Sequence, residues 1–184
     1  DDVARQNDIT QTVRQQMIDN GAVVELSGEQ AAQYYPDLRS MKKSERTPIL
    51  KQKINALKQS LRTFLSGLKD STFEFDVNDN ILEARLYDTG IREVLEKLTQ
   101  EKAGMLYGSD AIFRNARYLY STPDYAGDPN IYRWNYFYTP VSIDGGEPVG
   151  VRIAVRDVDK GTNFTPESQI YNWNIKKNAA LDGG

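Results

Sequence analysis

The chain has 184 residues, enough for one domain with an extension or for two small domains, and it contains neither cysteine nor histidine. Those absences exclude disulfides, thiolate nucleophiles, Cys- or His-ligated metals, Ser–His–Asp triads and imidazole acid–base chemistry, so any catalysis falls to Asp, Glu, Lys, Arg, Tyr, Ser or Thr. The net charge of −3 hides a segregation: from Arg39 to Lys69 nine basic residues face one acid, Glu45, so this stretch is +8 and the remainder −11, an imbalance that can steer association with acidic partners. A cysteine-free chain fits a reducing compartment, and the cytoplasm is the expected location. Apolar runs of only a few residues fall far short of a membrane span, so no membrane partner is expected. The chain opens on Asp1-Asp2-Val3 without an initiator Met, as expected of a piece cut or processed from a larger protein.

In chain order, residues 8–20 read as a helix, with Asp8 as cap, Ile9, Val13 and Met17 on one face and Asn20-Gly21 as the stop. Val23 to Leu26 is a short strand, and Ser27 with Gln30 resembles a capping box for a short helix that Pro36 ends. Thr47-Pro48 starts the best helix, whose apolar seam is Leu50, Ile54, Leu57, Leu61, Phe64 and Leu68. Phe73, Phe75 and Val77 alternate, Asn78-Asp79-Asn80 turns, and Leu82, Ala84 and Leu86 return, which is a β-hairpin. Asp88 or Thr89 caps a helix with Ile91, Val94, Leu95 and Leu98 on its face; a second helical stretch from Lys102 to Ala116 is interrupted at Gly104 and Gly108.

The aromatic strands follow. Eight of the 21 residues from Tyr118 to Tyr138 are aromatic. Residues 131–143 form a long strand, Asp144-Gly145-Gly146 turns the chain, and residues 149–158 return beside it. Gly161 to Pro166 is a loop, Ile170 to Ile175 a last strand, and residues 178–184 a tail. Helices and strands in blocks make an α+β fold: a mainly helical extension over residues 1–70, then an α+β domain over residues 71–178.

The second half resembles a known family. LYDTGIREVLEKLTQEKAGMLY, FRNARYLYSTPDY, IYRWNYFYTPVSIDG, GVRIAVRDV and ESQIYNWNIKK, spanning roughly residues 72–178, are similar to the large polyvalent protein-associated domains of long multi-domain phage and conjugative-element proteins. The most characteristic part is aromatic-Thr-Pro-Val-x-Ile-x-Gly, here Tyr138 to Gly145. The resemblance implies the barnase–EndoU–colicin–RelE nuclease fold, with two helices before an antiparallel sheet of about four strands. Active relatives are metal-independent ribonucleases that hold the scissile phosphate with Arg or Lys and use a proton donor and acceptor. Many polyvalent domains are instead packing or self-protection modules. The absence of histidine departs from the nuclease pattern and puts the catalytic version in doubt.

Four groups of residues are candidates for a site, each with a plainer reading beside it. Strand alternation places Tyr132, Trp134, Tyr136 and Tyr138 on one face. With Arg152 and Arg156 of the return strand they could stack bases and clamp phosphate, or the face could be covered by the N-terminal extension with its hydroxyls bonded at the rim. Arg114 and Arg117, on one helix turn, could share a phosphate or form an ordinary salt-bridged helix end. Glu167 could be a general base or part of a Thr-Pro-Glu turn. Lys51, Lys58, Arg62 and Lys69 form a basic stripe that could bind nucleic acid or an acidic region of a parent protein, or simply be solvated.

The leading expectation is a non-catalytic or weakly catalytic binding module of a mobile-element polyvalent protein. It would act through the aromatic face and the basic helix on RNA or DNA, or on other domains of its parent. One alternative is a metal-independent ribonuclease, with Arg114, Arg117, Arg152 and Arg156 on phosphate and Tyr136 or Glu167 moving protons. Another is a protein-interaction module that uses the aromatic face. The sequence offers no metal or cofactor constellation.

Overall fold

A computed structural model describes residues 1–159 and 166–176. Most of the expected loop at Gly161–Pro166, and the expected tail at 178–184, lie outside the described residues.

Helix α1 (Asp2–Asp19) starts well before the expected Asp8, because Asp1 supplies the cap: its Oδ1 accepts from Val3 N at 2.7 Å and Ala4 N at 3.3 Å. Strand β1 (Val24–Leu26) and the short helix α2 (Glu29–Ala32) follow. Helix α3 (Lys43–Ser66) likewise begins upstream of Thr47-Pro48. The Glu45 carboxylate accepts from Lys42 N at 3.3 Å and Arg46 Nε donates to Met41 O at 2.8 Å, so the first turn is satisfied without the proline. Pro48 then costs the helix one backbone bond on an exposed turn. Leu57, Leu61 and Leu65 are buried, whereas Leu50 and Ile54 are only half-buried because the first turns run past the core.

Strands β2 (Thr72–Val77) and β3 (Asn80–Leu86) form the expected hairpin, and both turn residues, Asn78 (φ 49°) and Asp79 (φ 69°), take the left-handed conformation of a tight primed turn. Three short helices follow: α4 (Asp88–Val94), α5 (Gln100–Leu106) and α6 (Ser109–Arg114). The last four strands are β4 (Arg117–Thr122), β5 (Ile131–Ile143), β6 (Val149–Val158) and β7 (Glu167–Lys176).

The fold is α+β, but the sheet is larger than the four antiparallel strands expected. Among the described residues it has seven strands in the order β1-β5-β6-β7-β3-β2, with β4 also on β5, and it is mixed. Strands β4, β5, β6 and β7 are antiparallel neighbours. β1 adds in parallel to the end of β5, pairing Val24 with Val141, and β3 brings the hairpin in parallel to β7, pairing Ala84 with Ser168. Joining the sheet through β3 gives Phe73, Phe75, Ala84 and Leu86 a core to face.

The sheet curls strongly. Phe75 on β2 meets Phe137 on β5 at 4.5 Å between ring centres, although β3, β7 and β6 lie between them in hydrogen-bonded order. The concave side closes over Phe113 of α6, which packs edge-on to Phe73 at 5.1 Å and Trp173 at 4.9 Å. Trp173 Nε1 donates to Ser109 Oγ at 2.9 Å, so its buried indole is satisfied. Ala31, Leu57, Leu61 and Leu65, from the N-terminal part of the chain, join this same core. Gly90 lets α4 lie directly on β7, since a Cβ there would stand 2.4 Å from Ile170 O.

On the convex side a second cluster joins Met17 of α1 to Leu119, Tyr120 and Tyr138. Arg14 Nη2 donates to Pro148 O at 3.0 Å and fixes α1 near the β5–β6 turn. Gly150 makes room for the Tyr138 ring here, since a Cβ would clash with the Tyr138 hydroxyl unless the ring moved.

Candidate functional site

Along β5 the expected alternation holds: Asn135, Phe137, Thr139 and Val141 are buried toward the concave side, while Trp134, Tyr136 and Tyr138 point to the convex side. The convex face divides in two. Its Tyr138 end is covered by α1, as the N-terminal-cover reading expected. The Trp134–Tyr136 end stays open and forms a cleft of about 260 Å³, lined by Trp134, Tyr136, Arg152, Ala154, Tyr171, Asn172, Asn174 and Lys176.

Cross-strand register explains the assembly. Trp134 lies opposite Arg156, Tyr136 opposite Ala154, and Tyr138 opposite Arg152. On β7, Asn172 pairs with Ala154 and Ile170 with Val155, so a bulge at Tyr171 turns both Tyr171 and Asn172 toward the cleft. The small Ala154 makes the floor and the larger side chains around it make the walls.

Two arginines lie on rings. The Arg152 guanidinium stands 4.1 Å from the Tyr136 ring centre and 5.9 Å from that of Tyr120, and Arg156 stands 4.2 Å from that of Tyr171. Each such contact is worth about 0.5–2 kcal/mol, depending on how dry it is. Arg156 Nε also donates to Gln169 Oε1 at 2.9 Å. Among the described residues Arg152 has no carboxylate partner. Trp134 packs edge-on to Tyr171 at 5.4 Å, and its Nε1 donates to Asp124 Oδ1 at 3.0 Å. That bond, helped by the Asp128 amide, holds the Asp124 carboxyl below its usual range. Lys176 is exposed as a whole, yet desolvation in the cleft, and then repulsion from Arg152, push its ammonium down. Burial pushes the Tyr120 phenol up, with Arg152 opposing, and pushes Tyr138 up, with Arg14 opposing. The arrangement suits an anion with a flat, stackable ring.

The other candidates lie elsewhere. Arg114 and Arg117 do not share a helix turn: α6 ends at Arg114, Asn115 leaves the helix, and Arg117 opens β4. Arg114 is bonded to Asp110 one turn back at 3.1 Å and rests on the Phe73 ring. Arg117 lines a separate cavity with Met17, Asp76, Asp79 and Tyr118. Glu167 is not in a preceding turn but begins β7, three residues before the expected start of that strand. It accepts from the Tyr87 hydroxyl and from Gln169 Nε2 at 3.1 Å, and lines a different cavity from the arginine cleft. Lys51 and Arg62 are exposed on α3 and Lys58 is half-buried, while Lys69 pairs with Asp88 at 2.8 Å. The leucine seam of α3 belongs to the concave core, so this basic stripe lies on the opposite side of the sheet from the cleft.

Sequence reasoning missed Ala154, Tyr171, Asn172, Asn174 and Lys176 as cleft residues, and Asp124 as the tether of Trp134. The IYNWNIK run was readable as a strand, but only the bulge reveals which side chains share the arginine face. Among the described residues the one deeply buried carboxylate is Asp157, which accepts from Arg133, Asn135 and Ser168 at 2.8, 3.1 and 2.7 Å on the concave side, a structural use of its charge. Among the described residues no Asp/Glu group is placed to hold a metal, and no helix is long and apolar enough to cross a membrane.

A family model described as large polyvalent protein-associated domain 3 matches residues 51–171, about two-thirds of the chain. No curated protein and no solved structure matches it. The matched region runs from α3 into β7 and includes Trp134, Tyr136, Arg152, Ala154 and Tyr171.

Proposed function

The chain belongs to the large polyvalent protein-associated domain 3 family, and from that premise we propose that it is a module of a polyvalent protein that binds single-stranded nucleic acid in the convex cleft. The observation that carries this reading is Arg152: it is stacked on Tyr136, lacks a carboxylate partner among the described residues, and lies beside Lys176 at one end of a cleft that Trp134 and Tyr171 also line. Base stacking on aromatics plus cation contacts to phosphate is the recurring physics of single-strand binding. The resemblance to mobile-element proteins and the cysteine-free sequence favour a phage or conjugative-element parent and a cytoplasmic setting.

Binding is favoured over catalysis. A ribonuclease of the barnase-like type would need a proton acceptor beside the arginines; among the described residues no carboxylate lines the cleft, and Asp124, near Arg156, is committed to the Trp134 indole and the Asp128 amide. Glu167 is engaged with Tyr87 and Gln169, beyond the Arg156 end of the cleft. The remaining route, through Tyr136, would have to work with Arg152 stacked on its ring.

The test is a fluorescence titration with short oligouridylate and oligothymidylate at two salt concentrations. Trp134 lies in the cleft and Trp173, the other tryptophan, is buried, so quenching reports cleft occupancy. Salt-sensitive quenching is expected. Arg152→Ala should weaken binding about ten- to a hundredfold, the scale of losing a charge-assisted contact worth roughly 1.5–3 kcal/mol. Binding that ignores both salt and Arg152 would sink the proposal. Cleavage of RNA in EDTA that Arg152→Ala abolishes would favour the ribonuclease instead.

A further inference from the structure

We infer that the cleft is a socket for one nucleobase, seated over Ala154, with the phosphates on either side of that nucleotide held by Arg152 and Lys176 at one end and Arg156 at the other. This deepens the single-strand reading and rests on it. Size is the first argument. The cavity of about 260 Å³ lies below the usual range for small-molecule pockets, roughly 300–1,000 Å³. It therefore fits one ring with part of its sugar, not a stretch of stacked bases.

The floor is the second argument. Tyr136, Ala154 and Asn172 are cross-strand neighbours in one row of the sheet. Among the described residues Ala154 is the only small side chain lining the cleft, and a ring can descend there beside Tyr136, against the edge-packed Trp134–Tyr171 pair. Asn172 carries a carboxamide that can donate and accept at a base edge. Asn174 commits its Oδ1 to Ile175 N at 2.8 Å, which leaves its NH2 as a donor.

Spacing is the third. Arg152 and Arg156 are four residues apart on β6, about 13 Å at roughly 3.3 Å per residue, with Ala154 midway. Each is fixed by a tyrosine ring, so both cations are positioned before the ligand arrives. A base over Ala154 thus has a cation on each side along the strand direction, Arg152 in the cleft itself and Arg156 at its Tyr171 wall, from which a side chain leaning inward can reach a flanking phosphate.

The experiment compares a fluorescein-labelled uridine tetranucleotide with an abasic ribose-phosphate strand of the same length, using the full chain. The wild-type chain should bind the uridylate at least tenfold more tightly than the abasic strand, and uridine monophosphate should compete. Ala154→Leu, which fills the socket, should lower uridylate affinity at least tenfold, toward that of the abasic strand. Equal binding of both strands by the wild-type chain would overturn the socket while leaving backbone binding in the cleft intact. So would a folded Ala154→Leu variant within twofold of wild type on uridylate. If neither strand binds the wild-type chain, the socket and the single-strand reading fall together. The comparison of strands on the wild-type chain decides the matter even if the leucine variant does not fold.

Discussion

Arg152 is placed by packing: the Tyr136 ring on one side and Tyr120 further off define where the guanidinium can lie. Among the described residues Arg152 has no carboxylate partner, and a cation so placed beside another is unfavourable; Lys176 records the conflict in its lowered pKa, caused first by desolvation and then by Arg152. An anion bound between them would relieve it and raise the Lys176 pKa again. The sign follows from linkage. Affinity should be full while free Lys176 is protonated and should fall as pH rises through its lowered pKa, so the loss begins at lower pH than for an ordinary lysine. Folding stability moves the other way: between the lowered folded value and the ordinary lysine value, the unfolded chain holds more protons, and stability rises with pH from this group. An affinity profile from neutral to alkaline pH should show this limb in the wild-type chain and lose it in Lys176→Gln. A flat wild-type profile would place Lys176 outside the site. Asp124 has the opposite dependence. Its carboxyl is held down chiefly by the Trp134 indole, so that tether is lost only in acid, as pH falls through a value below the usual carboxylate range.

The elements that build the cleft depend on two close approaches, each at a glycine. At Gly150 a Cβ would meet the Tyr138 ring, and at Gly90 it would meet the backbone oxygen of Ile170 on β7. A side-chain ring can shift but a paired strand cannot, so Gly90→Ala should be the more damaging change, separating α4 from β7. A loss of roughly 1–3 kcal/mol, the usual scale of overpacking, is expected in urea unfolding, with a smaller loss for Gly150→Ala. The reverse order would mean that α4 tolerates displacement. Much of this architecture was legible in the sequence. Period-two alternation and the Asp144-Gly145-Gly146 turn sufficed to put Trp134 and Tyr136 on one face with Arg152 and Arg156. The bulge at Tyr171 was not legible, because a one-residue slip leaves no mark on a run that alternates polar and aromatic residues. Nor were the parallel pairings of β1 with β5 and β3 with β7, which depend on tertiary contacts and carry no local turn signal. Arg114 and Arg117 misled for a related reason: helical spacing brings residues together only if the helix continues, and α6 stops between them.

At the scale of the whole molecule the charge segregation acquires a geometry. The sheet separates two cationic surfaces: the cleft on its convex side and the exposed stripe of α3, whose leucines feed the concave core. A ligand of three or four nucleotides that fills the cleft cannot also reach Lys51, Lys58 and Arg62, whereas a long strand leaving the cleft could pass around the edge of the sheet to them. Neutralising all three to Gln should therefore leave tetranucleotide affinity unchanged while weakening a long strand. The salt dependence gives the magnitude, since each neutralised phosphate on a single strand contributes roughly 0.7 to the slope of log affinity against log salt, so losing three contacts should flatten it by about two. Arg152→Ala should instead weaken both lengths. A triple variant that binds long strands with an unchanged slope would show the stripe to be simply solvated. One that loses tetranucleotide binding would mean that α3 reaches the ligand in the cleft, which the placement of its leucine seam opposes.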